Sequence, residues 1–187
     1  MKFSNDNATY STAEAYATSK SWTLSTTNGT RTVYVKYKDV AGNWSGAISD
    51  TIILDNVAPS GTISINNGAS STTSQTVTLT LSATDATSGA NQMQFSNDNA
   101  TWSTPQAYTT AKSWTLSSGY GTKTVYVKFS DKAGNWSTAK YDTIAYSAPA
   151  DTTPPTGTIS INSAATYTNT TAVTLALSAT DSGSGMG

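Results

Sequence analysis

The feature of this sequence that most restricts its fold is an internal repeat. Residues 1–10 recur, with two substitutions, as residues 93–102, and the pentapeptide at 32–36 recurs unchanged at 124–128. Both matches are separated by 92 positions. Self-similarity at a fixed long period is typical of chains built from similar modules in series. The 187 residues are therefore expected to contain pieces of more than one copy of the same module.

A second set of matches places the module boundaries. Residues 61–66 recur at 157–162, a spacing of 96 positions, and segments that contain Pro59 and Pro155 precede the two copies. Short proline-containing segments between repeated units indicate interdomain linkers. The sequence predicts three parts: the C-terminal part of one domain (1–55), a complete domain (56–150), and a linker with the N-terminal part of the next domain (151–187).

Within the complete domain, apolar residues alternate with Ser and Thr, which is typical of strands with one buried face. The clearest case is 76–84, where Leu79 and Leu81 are expected to face inward and Thr80 outward. The predicted strands are A (62–66), B (76–84), C (around 93–95), segments carrying Trp102 and Trp114, F (122–130) and G (141–146). About seven short strands at this spacing predict an all-β fold of tandem immunoglobulin-like Greek-key β-sandwiches.

The composition argues against several classes of function. The chain has no His and no Cys, which removes the commonest general base near neutral pH and every thiolate chemistry. Its net charge is −1, with 11% charged residues, so no electrostatic attraction to nucleic acid is expected. No apolar run is long enough for a membrane helix. We therefore expect no enzyme, no disulfides, no nucleic-acid partner and no membrane insertion.

Several short motifs resemble those of a known family. The Asp-Lys-Ala-Gly-Asn turn at 131–135, its counterpart at 39–43, the Ala-Thr-Asp end of strand B at 83–85 and the Asp-Thr-Thr-Pro-Pro linker at 151–155 are similar to bacterial immunoglobulin-like (Big-type) repeats. Such repeats occur in tandem in large secreted and surface proteins such as adhesins. The resemblance covers the whole chain and implies an extracellular or cell-surface location.

The predicted function is a structural, non-enzymatic shaft or spacer of an extracellular fibre. The alternative is an adhesive or carbohydrate-binding module of a larger secreted protein, and a third hypothesis is an accessory domain of a secreted enzyme. Residues 96–102 resemble the Asp-box hairpin of carbohydrate-active propellers, although the segment is one residue shorter and lacks the Gly. A glycan is therefore an alternative partner, but Trp22, Trp114, Trp44 and Trp136 are more economically interpreted as packing residues of the sandwich and its rim.

Acidic residues at loop ends suggest a calcium site. In an immunoglobulin-like sandwich the B–C and F–G loops share the end at which the preceding linker arrives. Asp55, Asp85, Asp131 and the Asn135 amide would then converge and supply the oxygen ligands that Ca²⁺ prefers. The alternative is that 131–135 is only a tight turn, for which Asp, Asn and Gly are favoured. No other cofactor is expected.

The two incomplete ends are predicted to complement one another. Residues 156–187 would supply strands A and B, and residues 1–55 strands C to G, so that a neighbouring copy completes each half-domain. The expected partner is therefore another copy of the chain, in a filament or as covalently continuous repeats. The predicted interface residues are Phe3, Trp22, Val33, Val35, Val173, Leu175 and Leu177.

Overall fold

A computed structural model describes residues 1–185 of the chain, which form strands and two single-turn 3-10 helices. The strands are β1 (Lys2–Ser4), β2 (Gly29–Lys36), β3 (Ile48–Leu54), β4 (Ser60–Ile65), β5 (Ser71–Thr72), β6 (Thr76–Thr84), β7 (Ala90–Ser96), β8 (Gln106–Ala107), β9 (Ala111–Thr115), β10 (Gly121–Asp131), β11 (Lys140–Tyr146), β12 (Thr156–Ile161) and β13 (Leu175–Thr180). The 3-10 turns are Asn66–Gly68 and Asn162–Ala164. None of the helical turns in 1–185 is long and apolar enough to cross a membrane.

Strands β4 to β11 form a complete immunoglobulin-like sandwich. One sheet has the order β4-β6-β9, and the other has the order β5-β11-β10-β7-β8. All pairings are antiparallel except that of β5 with β11. With β5 named A′, β8 named C′ and β9 named E, the sheets are A-B-E and A′-G-F-C-C′. The predicted fold class is confirmed.

The core lies between these two sheets. The alternation of β6 continues as predicted, since Val77, Leu79 and Leu81 are buried while Thr78 and Thr80 are exposed. Facing residues from β7, β10 and β11 complete the cluster, with Met93, Phe95, Val125, Val127, Phe129 and Ile144 all nearly inaccessible to solvent. Burial of one face of each sheet fixes the register, because a slip of one residue would turn the apolar side chains outward.

The chain divides into two compact units, Met1–Tyr146 and Ser147–Gly187. The first contains the complete sandwich together with the β1-β2-β3 sheet, whose strands correspond to C, F and G. The second contains the antiparallel pair β12-β13, which corresponds to A and B. The predicted boundary between residues 55 and 56 is not marked by this division and stays a prediction.

The bounds of β6 agree with the prediction, the other strand bounds differ by one to three residues, and two of the differences have a clear physical cause. Strand A ends at Ile65 rather than Asn66, because Asn66 and Asn67 have positive φ and begin the 3-10 turn. The segment around Trp102 is not a strand but the turn that follows β7, and the chain pairs again only at β8 and β9. Asn99, at φ 59°, adopts the left-handed conformation that Asn tolerates better than most residues, and this conformation does not continue a strand through the segment.

Candidate functional site

Three carboxylates meet at one end of the complete sandwich. Asp55 follows β3 in the linker, Asp85 follows β6, and Asp131 is the last residue of β10, next to a β-bulge. Each offers one carboxylate oxygen, and these three oxygens lie within 4.8 Å of one another. We call this group the carboxylate cluster. The structure therefore brings together the three aspartates that sequence analysis singled out.

Asp85 is held by the B–C loop that it begins. Its Oδ1 accepts hydrogen bonds from the backbone N–H groups of Gly89 (2.8 Å), Ser88 (2.8 Å) and Thr87 (3.1 Å). These donors lower the pKa of Asp85 because they stabilise its charged form, and the Gly89 N–H has the largest effect. The loop thus presents an ionised carboxylate to the cluster.

Asp131 closes the F–G turn. Its Oδ1 accepts the backbone N–H of Asn135 at 2.9 Å, and its Oδ2 accepts the Asn135 side-chain amide at 2.8 Å. The same Asn135 Nδ2 also donates to the backbone carbonyl of Asp55 at 3.1 Å. Asn135 therefore contacts the cluster through its side-chain Nδ2, a hydrogen-bond donor, and its role as a cation ligand stays a prediction.

Asp55 connects the linker to both loops. Its Oδ2 accepts the Ser88 hydroxyl at 2.5 Å, and its Oδ1 accepts the Val57 N–H at 3.1 Å. The Asn28 side-chain amide lies 3.5 Å from Oδ1, while its own Oδ1 is buried without a hydrogen-bond partner in the described structure. Sequence analysis missed Ser88, although its recurrence as Ser184 at the 96-residue spacing was a usable signal.

The cluster concentrates negative charge without a compensating side chain. Asp55 is 8% exposed and Asp131 only 1%. Within residues 1–185, no Lys or Arg forms a salt bridge with any of the three; the salt bridge found there joins Lys20 to Glu14. Buried carboxylates are normally paired with a cation or coordinate a metal. Chemically, the arrangement offers hard oxygen ligands of the kind that Ca²⁺ binds.

Part of the same arrangement recurs in the second unit. Asp151 and Asp181 correspond in the repeat to Asp55 and Asp85, at a spacing of 96 residues. Asp151 Oδ2 accepts the Ser184 N–H at 2.7 Å, and Asp181 Oδ1 accepts the Gly185 N–H at 2.8 Å. The N–H groups of Thr153 and then Ser184 lower the pKa of Asp151. The counterpart of Asp131 in the repeat is Asp39.

The segment that resembles an Asp-box forms a compact turn. Asp98 Oδ1 accepts the Ser96 hydroxyl (2.7 Å) and the N–H groups of Ala100 (2.8 Å) and Thr101 (2.7 Å), and these bonds lower its pKa. A surface cleft beside the turn is lined in part by Trp102 and Trp114. Trp114 packs on Phe95, with 5.3 Å between ring centroids, and its Nε1 donates to the Asn97 side chain at 2.8 Å.

Aromatic side chains also lie on the outer face of the β7-β10-β11 sheet. Tyr126 and Tyr141 are cross-strand partners with ring centroids 5.7 Å apart, and Tyr141 is exposed. Lys128, two residues along β10, lies 4.3 Å from the ring centroid of Trp102. Sequence analysis did not group these residues, because they come from separate segments and only the strand register makes them neighbours.

The residues predicted to form a self-assembly interface lie in two separate parts of the chain. Phe3, Val33 and Val35 are on β1 and β2 and are half-buried, and Trp22 packs on Phe3 with ring centroids 5.4 Å apart. Val173, Leu175 and Leu177 are exposed on or beside β13.

No family model and no curated protein matches this chain. Among solved structures, the chain is similar to the PKD1 domain of Vibrio anguillarum Epp, with 19% identity, a TM-score of 0.38, and coverage of 51% of this chain and 100% of that domain. It is also similar to fibronectin(III)-like modules of Clostridium thermocellum CbhA, with 14% identity, a TM-score of 0.41, and coverage of 79% of this chain and 77% of theirs. The assignment to Big-type repeats in particular stays a prediction.

Proposed function

We propose that this chain is a non-enzymatic spacer, a segment of the shaft of an extracellular or cell-surface fibre built from tandem immunoglobulin-like modules. The observation that carries the proposal is the way the linker is fastened to the module that follows it. Asp55, at the end of one repeat, is bonded through its carboxylate to Ser88 of the B–C loop and through its carbonyl to Asn135 of the F–G turn. A spacer transmits length only if successive modules do not swivel freely, and these bonds restrict such motion.

The spacer proposal is tested by loosening this junction. We expect Asn135→Ala to increase the rate of limited proteolysis near Val57, because the variant loses the bond to the Asp55 carbonyl. Asn43→Ala is the matched control, since Asn43 makes the corresponding bond within its own turn, to Asp39 at 2.9 Å. Equal cleavage in the wild type and both variants would contradict a stiffened junction.

We further propose that Ca²⁺ occupies the carboxylate cluster and completes the junction. The proposal is supported by three carboxylate oxygens within 4.8 Å of one another, two of them on buried residues. A divalent cation would relieve their mutual repulsion and bridge the linker to both loops. The competing interpretation is that the bonds within the F–G turn alone account for Asp131 and Asn135.

A glycan-binding role is the second candidate function, favoured by the aromatic outer face around Tyr126, Tyr141 and Trp102. Exposed aromatic rings offer apolar faces with polar edges. Against it, the Trp102 ring already has the Lys128 ammonium group 4.3 Å from its centroid. An array of glycans probed with the labelled chain decides the matter: binding that is lost in Tyr141→Ala favours this role, and an absence of binding to every glycan contradicts it.

A further inference from the structure

We infer that a cluster of basic and aromatic side chains in the first repeat binds an acidic polysaccharide. The cluster, which we call the basic patch, consists of Lys2, Tyr10, Lys36, Lys38 and Trp44. This site goes beyond the spacer role, and it shares no residue with the aromatic outer face considered above for glycans.

The basic patch lies on the outer side of the β1-β2-β3 sheet. Lys2 is next to Phe3 on β1, and successive side chains of a strand point to opposite faces. Phe3 corresponds to Phe95, which is buried in the core of the complete sandwich, so Lys2 points away from the core-facing side. Lys36 likewise corresponds to Lys128 on the outer face of the complete sandwich. The patch therefore occupies the side of the sheet that faces solvent in a complete sandwich.

Two aromatic rings hold the three ammonium groups of the patch together. The Lys2 Nζ lies 5.0 Å from the ring centroid of Tyr10 and 4.6 Å from that of Trp44. The Lys36 Nζ lies 4.8 Å from the Tyr10 centroid, and the Lys38 Nζ lies 5.8 Å from the Trp44 centroid. Ammonium groups within about 6 Å of a ring centroid are attracted to the ring. The rings thus fix a concentrated positive charge at one place on the surface.

Folding does not explain this concentration of charge. Lys2 and Lys36 are direct cross-strand partners in the β1-β2 register, and like charges directly opposite one another destabilise a sheet. The complete sandwich has Gln94 opposite Lys128 in the same register. It also has Ser at position 130, where the first repeat has Lys38. The module therefore forms without lysine at two of the three positions.

Carboxylates of the same chain do not neutralise the patch. Among residues 1–185, none of its three lysines forms a salt bridge. The acidic side chains of the adjoining turns are held by hydrogen bonds within those turns. Asp6 Oδ1 accepts the Ser4 hydroxyl at 2.7 Å, and Asp39 Oδ1 accepts the Asn43 N–H at 2.7 Å. The patch therefore stays positive on a chain whose net charge is −1.

The chemistry of the patch favours an acidic polysaccharide as its ligand. Three unpaired ammonium groups are complementary to anionic groups. Lysine lacks the planar fork that arginine offers to phosphate, and Arg31, the single arginine of the chain, is not in the patch. Stacking of nucleic-acid bases needs a free ring face, whereas Tyr10 and Trp44 each have two ammonium groups within 5.8 Å of the ring centroid. Carboxylate or sulfate groups along a sugar chain need only the charges.

The test measures binding of the full chain to polygalacturonate and to dextran sulfate by isothermal titration calorimetry. Fully methyl-esterified polygalacturonate and plain dextran are the uncharged counterparts with the same sugars. We expect the wild type to bind an anionic polymer and neither uncharged one, and the preferred polymer identifies carboxylate or sulfate as the recognised group. Raising NaCl from about 0.05 M to about 0.5 M should weaken the binding, because salt screens charges on an exposed surface.

The decisive variant carries Lys2→Gln and Lys38→Ser. The complete sandwich has these residues at the same positions, so the fold should be kept. We expect binding about 30-fold weaker than that of the wild type, since two contacts between ammonium groups and anions are lost at a water-exposed surface. The matched control carries Lys132→Gln and Lys140→Ser, which remove the same charge from exposed positions elsewhere and should leave binding unchanged.

Several results would overturn the inference. The wild type could bind neither anionic polymer, or bind the uncharged counterparts equally well. An equal loss in the two double variants would mean that only net charge matters, and a loss in Tyr141→Ala would assign the binding to the aromatic outer face instead. Tighter binding of a single-stranded oligonucleotide than of either polymer would make nucleic acid the ligand. None of these results bears on the spacer proposal, which the proteolysis near Val57 tests separately.

Discussion

Removing three carbons from Leu81 should destabilise the complete sandwich strongly. Leu81 is 3% exposed and packs among the core residues of both sheets. At about 0.8 kcal/mol per buried carbon, Leu81→Ala loses about 2.4 kcal/mol of transfer free energy. The cavity left behind adds to this, so the expected loss in the free energy of unfolding is about 2–5 kcal/mol.

The assay is urea unfolding monitored by the backbone amide NMR signals of β10. These signals report on the complete sandwich alone, because β10 belongs to it. Thr78→Ala is the control on the same strand, because Thr78 is exposed and its substitution should change stability by less than about 0.5 kcal/mol. Thr80 is a poorer control, since its hydroxyl donates to the Asn67 side chain at 2.7 Å. Equal losses in Leu81→Ala and Thr78→Ala would refute the assigned facing of β6.

Three further outcomes follow from the same structure. Added Ca²⁺ should raise the melting temperature of the wild type but not that of Asp85→Asn, because a ligand that binds only the folded state stabilises it; a melt unchanged by Ca²⁺ or chelator would leave only the turn interpretation. The Ser4 hydroxyl and the N–H groups of Ala8 and Thr9 lower the pKa of Asp6 to about 2, so its contribution to stability is complete above pH about 4 and is lost as the pH falls towards 2. Asp6→Asn should weaken that acid dependence, and an acid transition identical to the wild type's would argue against the turn bonds. Leu177→Ala should leave the chain nearly as stable as the wild type in urea unfolding, since Leu177 is 73% exposed; a large loss of stability would contradict its exposure.

The repeat and the alternation of apolar residues were enough to predict the sandwich and the facing of β6, because both depend on local pattern. The convergence of Asp55, Asp85 and Asp131 was also predictable, since loop order in this topology places all three at one end. The hydrogen bonds that Ser88 and Asn135 donate to Asp55 were not predictable, because their geometry depends on a loop conformation that residue type alone does not determine. The different conformations of 20–24 and 112–116 lay beyond any local rule, since the two sequences are the same and only their strand partners differ.

Amide hydrogen exchange at Val57 tests the central claim most directly, namely that the linker is fastened to the module that follows it. The Val57 N–H donates to Asp55 Oδ1 at 3.1 Å, so its exchange should be slow in the wild type. It should become faster in Asn135→Ala, which loses the bond to the Asp55 carbonyl, and stay unchanged in Asn43→Ala, whose bond lies within its own turn. Exchange at Val57 that is equally fast in all three chains would contradict a fastened linker.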